Sequence, residues 1–169
     1  VSNRAIIEAA RLARKYGIKI HTFNMAGCPG ETLDMVFETL DFNKKIRPDF
    51  LWCSLLYPYP RTDIFDLAVE SDAIDASSDF HTFDHTYFMT IPIRTPRKSE
   101  IDRLQKIMYL GLLLHIPNSL MALLIKLPMG KIYSLIFGFT YFIGLYKVNK
   151  MGLFALFRLS VGRLVKYTK

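Results

Sequence analysis

Cysteine is scarce in this chain: Cys28 and Cys53 are the only two in 169 residues. Two thiols cannot build a disulfide framework or a four-cysteine metal site, and they suit a reducing cytosol. Acidic residues run out early. After Asp102 there is no Asp or Glu at all, although Lys and Arg continue to the last residue. Residues 99–169 carry 10 basic and 2 acidic residues, net +8, whereas residues 1–98 carry 12 and 13, net −1. The second half therefore favours an anionic neighbour. A clean membrane-spanning run is missing too. Ile132–Tyr146 offers 15 uncharged residues between Lys131 and Lys147, about 22 Å as a helix against a hydrocarbon core of roughly 30 Å. The stretch Leu110–Ile125 is interrupted by His115, Pro117 and Asn118. No internal repeat is visible.

What is present is a well-populated core: 51% of residues are hydrophobic and 14% aromatic, which excludes a disordered chain. The sequence opens at Val1 inside a helical pattern, which reads as a fragment lacking its N-terminal part. The lack of a signal peptide is then uninformative. Residues 4–16 form a helix by the spacing of Ile6, Ala9, Ala10 and Ala13, with Gly17 as its terminator. Residues 18–26 read as a strand, and Gly27-Cys28-Pro29-Gly30 as a tight turn. A helix follows from about Thr32 to Lys45, with Leu33, Val36, Phe37 and Leu40 on its apolar face. Residues 50–57 are almost continuously apolar, as a parallel strand covered on both faces would be. Pro58-Tyr59-Pro60 ends it, and Thr62 caps a short helix to about Glu70. Residues 71–98 read as loop, Ser99 to about Leu114 as helix, and the remainder as basic apolar helices broken at Pro117, Pro128-Met129-Gly130 and Gly152. The order α-β-α-β-α with short connections predicts a βαβ crossover series, part of an α/β barrel or of a doubly wound sheet.

In such folds ligands gather at the C-terminal ends of the strands. Met25-Ala26-Gly27-Cys28-Pro29-Gly30-Glu31-Thr32 lies at one such end. Its glycines allow close backbone approach, and the amides at the next helix start suit a carboxylate or phosphate. About 25 residues later the next strand closes in Leu55-Leu56-Tyr57-Pro58-Tyr59-Pro60-Arg61-Thr62. Together with the lead-ins Ala13-Arg14-Lys15-Tyr16-Gly17-Ile18-Lys19 and Pro48-Asp49-Phe50, these segments resemble consecutive late strands of the radical S-adenosylmethionine (SAM) enzymes. Those enzymes show a Gly-x-Pro-Gly-Glu-Thr turn and a Pro-Tyr-Pro-Gly-Thr strand end; here Arg61 stands where the second motif has glycine. The resemblance covers residues 1–70 and is nearest to the class with an N-terminal cobalamin-binding domain, the anaerobic cyclase and methylase type.

That resemblance implies an α/β fold, a partial (β/α) barrel of the last βα units followed by an α-helical C-terminal region. Residues 1–70 would be barrel, 71–98 a loop-rich connection and 99–169 a basic apolar helical region. It implies a 4Fe–4S cluster held by a C-x₃-C-x₂-C loop, which these residues do not contain. It also implies SAM, whose reductive cleavage yields a 5′-deoxyadenosyl radical, and a cobalamin domain upstream. By family position, Met25, Gly27, Gly30, Glu31, Leu56 and Tyr57 would lie near SAM. His21 and Asn24 would face a small-molecule substrate, or equally serve as satisfied structural polar groups; Glu31 equally serves the helix dipole.

Other features stay open. His81 and His85 flank Asp84 at a spacing metal sites use, but no third ligand stands nearby, so a solvated loop is expected. Cys28 reads as a buried structural thiol rather than a reactive one. His115 sits in an apolar helical run and is expected in the core or an interface. The tail, basic and aromatic without acid, suits a helix lying on an anionic membrane surface; its other reading is docking onto missing domains. A cytoplasmic enzyme, peripheral at the inner face of the membrane and acting on a lipid-like substrate, is one expectation. A non-catalytic membrane-associated α/β scaffold is the other. Nucleic acid is not an expected partner, since its surface has no need of the apolar run.

Overall fold

The computed structural model describes residues 1–75, 77 and 93–149. Within them the chain is mixed α/β, mostly helical, with one two-stranded parallel sheet. The first helix, α1 (Asn3–Lys15), is started by Ser2, whose hydroxyl accepts from the Ala5 amide. It ends as the glycine predicts. Gly17 takes φ +69, its amide donates to Arg14 O, and the Ile18 amide donates back to Ala13 O at 2.9 Å. This six-to-one closure is the Schellman terminator. It also removes Ile18 from the strand, so β1 is His21–Ala26 rather than 18–26. Lys19 and Ile20 become a tether: Lys19 Nζ and the Ile20 amide both donate to the Asp49 carboxylate, at 2.8 and 2.9 Å.

Thr32 caps α2 (Leu33–Ile46) by accepting from the Met35 amide. Strand β2 (Phe50–Leu55) pairs with β1 in parallel, from His21 opposite Phe50 to Ala26 opposite Leu55. Six aligned pairs put His21, Phe23, Met25, Phe50, Trp52 and Ser54 on one face and Thr22, Asn24, Ala26, Leu51, Cys53 and Leu55 on the other. The second face packs on α2 through Leu33, Val36 and Leu40, all buried. Helix α3 (Asp63–Glu70) starts at Thr62, which accepts from the Phe65 amide. After it, the Arg94 amide donates to Ala73 O at 2.7 Å, bringing Ile93 into the core beside Ile74. His81, Asp84, His85 and Gly152 lie outside the described residues.

Helix α4 (Lys98–Leu113) lies along β2 and satisfies one carbonyl within it and one just before it. Gln105 Nε2 donates to Cys53 O and Tyr109 Oη to Asp49 O, each at 2.6 Å. Of the two placements expected for His115, the core is corrected here. The residue is exposed, not in a core, and it ends α4 in the left-handed conformation at φ +52, while the Ile116 amide closes back on Gly111 O. Its apolar neighbours disguised a turn residue performing the role Gly17 performs in α1.

Pro117 precedes α5 (Asn118–Leu124), and Gly130 opens α6 (Gly130–Asn149). Helix α6 lies against the first sheet face. Trp52 and Tyr141 rings are 4.9 Å apart, Phe50 and Tyr141 5.9 Å, and Phe50 and Tyr109 5.1 Å. The cavity left between β2, α4 and α6 is about 10 Å³, no more than one water needs. A single Cβ built on Gly144 would overlap the Phe50 ring, which sets how closely α6 approaches. Among the described residues no helix is long and apolar enough to cross a membrane. Gly144→Ala is expected to cost about 1–3 kcal/mol by forcing α6 off Phe50, read by urea denaturation; an unchanged midpoint would show that the contact is loose.

Candidate functional site

The turn after β1 is built by its own residues. The Glu31 amide donates to Cys28 O at 2.9 Å, closing a β-turn with Pro29 and Gly30 at its centre; Gly30 has φ +75 and Gly27 φ +82. These are conformations glycine adopts without strain. Glu31 then folds back: its Oε2 accepts from the Gly27 amide at 2.5 Å and from the Cys28 amide at 3.2 Å. The backbone donors that would suit an anionic ligand at this turn thus already hold a carboxylate of the chain itself.

The strand register brings the second motif alongside. The Leu56 amide donates to Ala26 O at 2.8 Å, so Leu56 and Tyr57 leave β2 where Gly27 leaves β1. Leu56 is buried, Tyr57 is half-buried with its ring 5.0 Å from that of Tyr59, and Met25 stands half exposed on the sheet face next to the largely open Phe23. Gly30 is exposed, with nothing near the position of a Cβ. Met25, Gly27, Gly30, Glu31, Leu56 and Tyr57 therefore share one end of the sheet. Each motif closes in a threonine that caps the next helix, Thr32 for α2 and Thr62 for α3, and the Thr62 hydroxyl also donates to Tyr59 O at 2.6 Å. Arg61 has φ +67, a left-handed conformation unusual for a side-chain-bearing residue.

His21 and Asn24 are not part of this end in the same way. Asn24 turns toward α2: its Oδ1 accepts from Asn43 Nδ2 at 2.8 Å, its Nδ2 donates to Trp52 O at 3.0 Å, and Thr22 Oγ1 donates to Asn43 Oδ1 at 2.7 Å. Of its two expected roles, the satisfied structural one is what the geometry displays. His21 begins β1, at the opposite end of the strand, with its ring between Phe23 and Phe50 at 4.2 and 4.5 Å. Its Nε2 is buried without a hydrogen-bond partner, and burial lowers its pKa from the ordinary 6.5.

Neither cysteine is poised as a ligand or nucleophile. Burial, and secondarily the Glu31 charge, raises the pKa of Cys28; burial raises Cys53 to about 12. Both are neutral thiols near pH 7, whereas thiolate is what binds metal. Among the described residues no group of three His, Cys, Asp or Glu side chains could hold a metal ion.

Sequence reading missed two features. One is the buried Asn43, which organises Thr22 and Asn24; it stands at helical spacing from Leu40 and Val36, but a polar residue there reads as surface. The other is a broad groove of about 730 Å³ between α1 and α2, where Arg11, Arg14, Lys45 and Arg47 gather. The near-neutral sum over residues 1–98 hid it. Arg14 is partly committed, donating to Ile46 O at 2.5 Å and Arg47 O at 3.1 Å.

No family model matches this chain, and no curated protein or solved structure is detectably similar to it.

Two outcomes are expected. Burial disfavours the protonated His21 ring in the native state relative to the unfolded chain, so this group's contribution to stability falls as pH drops through its ordinary 6.5. His21→Phe should narrow the gap in unfolding free energy between about pH 8 and pH 5.5, measured by urea denaturation; an unaltered gap would mean that His21 is solvated. Arg61→Gly should raise stability by about 0.5–1 kcal/mol, the relief of left-handed strain less the entropy glycine loses. A lower melting temperature would show that Arg61 makes a contact that outweighs its strain.

Proposed function

We propose that this chain is the C-terminal part of a radical SAM enzyme, of the class carrying an upstream cobalamin-binding domain, and that its βα units complete a partial (β/α) barrel. The observation that carries the reading is the joint position of the two motifs. Gly27-Cys28-Pro29-Gly30-Glu31-Thr32 and Pro58-Tyr59-Pro60-Arg61-Thr62 end adjacent parallel strands at the same edge, and each delivers a capping threonine to the next helix. The left-handed φ at Arg61, where the motif has glycine, adds support: the backbone keeps a conformation glycine would favour although the side chain does not.

The chain's own residues do not fit the 4Fe–4S cluster. Two cysteines, without a clustered ligand set among the described residues, fall short of the three a C-x₃-C-x₂-C loop supplies, so the cluster would be held outside these residues. SAM fits better. Met25, Phe23 and Tyr57 offer exposed or half-exposed apolar surface at the strand ends, suited to an adenine ring, and Gly30 leaves room for approach. When bound, SAM supplies the adenosyl group that abstracts hydrogen from the substrate. Glu31 sets the shape of the turn by occupying its amides, and Leu56 fixes the neighbouring strand end. The substrate is a small, lipid-like molecule, and the enzyme works in the cytoplasm, peripheral at the inner face of the membrane.

Anaerobic reconstitution of the intact protein with iron and sulfide tests the assignment. The expected result is 4Fe–4S absorbance and release of 5′-deoxyadenosine from SAM under reducing conditions. Met25→Asp, at a half-exposed position, should weaken SAM binding by about tenfold with folding unchanged. An intact protein that forms no cluster and releases no 5′-deoxyadenosine would overturn the reading in favour of a non-catalytic membrane-associated α/β scaffold.

A further inference from the structure

Helix α6 presents an anomaly. It is apolar nearly all round, a pattern suited to a helix buried on every side, yet only one side is covered. Tyr133, Phe137, Thr140, Tyr141 and Gly144 turn inward, and the Trp52 ring packs at a tilt against Phe137 and Tyr141. The opposite stripe carries Ile132, Leu135 and Phe139, with Leu135 74% and Phe139 66% exposed. Around α5 the same holds for Leu120, Leu123 and Leu127, spaced three and four residues apart. The two stripes are mechanically joined. Tyr133 Oη donates to Leu124 O at 2.6 Å and to Leu127 O at 3.1 Å, tying the start of α6 to the end of α5, and Arg103 Nη1 ties Ile125 O to α4 at 2.9 Å.

We infer that the outer faces of α5 and α6 form one rigid surface that docks the protein on an anionic lipid bilayer without crossing it. The occupant is argued from charge. Exposed Lys126 and Lys131 stand at the joint between the stripes and exposed Lys147 at the far end of α6, and no acidic residue follows Asp102. A face meeting another protein would mix signs around its rim. The two helices themselves bring apolar side chains and lysines and no carboxylate; the nearest acids, Asp41 at the start of α5 and Glu100 near Lys126, are already paired with Lys44 and Arg97, so the face complements acyl chains beneath anionic headgroups. Insertion is one-sided because α6 is bolted to Phe50 and Trp52 along its other face, and its 15 uncharged residues are too short for a bilayer core of about 30 Å. The inference gives a physical surface to the peripheral location proposed above and is independent of SAM chemistry.

The experiment is co-sedimentation of the intact protein with vesicles of phosphatidylcholine, alone or mixed with phosphatidylglycerol, across a salt series. Binding to the mixed vesicles that weakens with salt is expected. Leu135→Glu with Phe139→Glu should lower it at least about tenfold. Lys126→Ser with Lys131→Ser, which leaves the apolar stripe intact, should lower it about fivefold per lysine. Leu67→Glu, an exposed apolar position on α3, should bind as wild type, and circular dichroism reports folding of each variant. The lysine pair keeps the test decisive if the glutamate pair fails to fold. Wild-type protein left in the supernatant at low salt overturns the inference, as does undiminished binding by both variants. Light scattering that shows a dimer, split by the glutamate pair, with no vesicle binding would assign the face to a second copy and overturn it too. Release of 5′-deoxyadenosine, measured on the same preparations, separates a failure of docking from a failure of the enzyme assignment.

Discussion

The parallel register of β1 on β2 is the constraint on which the rest depends. Once His21 stands opposite Phe50 and Ala26 opposite Leu55, the two proline-containing motifs are forced to the same edge, and the aromatic face and the asparagine face are separated. The register is set outside the strands as much as within them. Asp49, just before β2, accepts from Lys19 and Ile20, just before β1. Burial alone would raise the Asp49 carboxyl, but those two donors and the Lys19 and Arg14 charges hold it below its ordinary range. A slip of one residue would place Asn24 against the aromatic helix and Phe23 against Asn43, exchanging a satisfied amide for a stranded one.

Much of the backbone was legible because its signals are local. Gly17 at a helix end, Thr32 and Thr62 at helix starts, and the near-continuous apolar run of β2 each specify their structure within a few residues. The ends of β1 and the role of His115 were not legible, for one physical reason. A Schellman closure consumes the residue after the turn, and a non-glycine can hold the left-handed position when the following apolar residue, Ile116 here, is drawn inward. Ile18 and His115 were misread by composition; hydrogen bonding decided them.

The strand ends were legible in their place and less so in their wiring. The resemblance singled out Met25, Gly27, Gly30, Glu31, Leu56 and Tyr57, and the register puts those residues at one end of the sheet. Sequence reading did not foresee that Glu31 would satisfy the amides of its own turn, since a reversal over three and four residues is invisible until the turn is closed. Nor did it separate Asn24 from that end, because the partner that claims it, Asn43, lies 19 residues further along. Long-range polar pairing carries no periodicity to read.

The two edges of the sheet are unequal. Helix α4 lies along β2, taking up the Cys53 carbonyl within it through Gln105 and the Asp49 carbonyl just before it through Tyr109, whereas β1 pairs among the described residues with β2 alone. A further strand, from the same polypeptide or from a neighbour, would meet less obstruction beside His21–Ala26, next to the open side chain of Phe23, than beside β2. In a crowded solution that makes β1 the place where chains would first adhere to one another, and a charged residue introduced at Phe23 the natural gatekeeper against it.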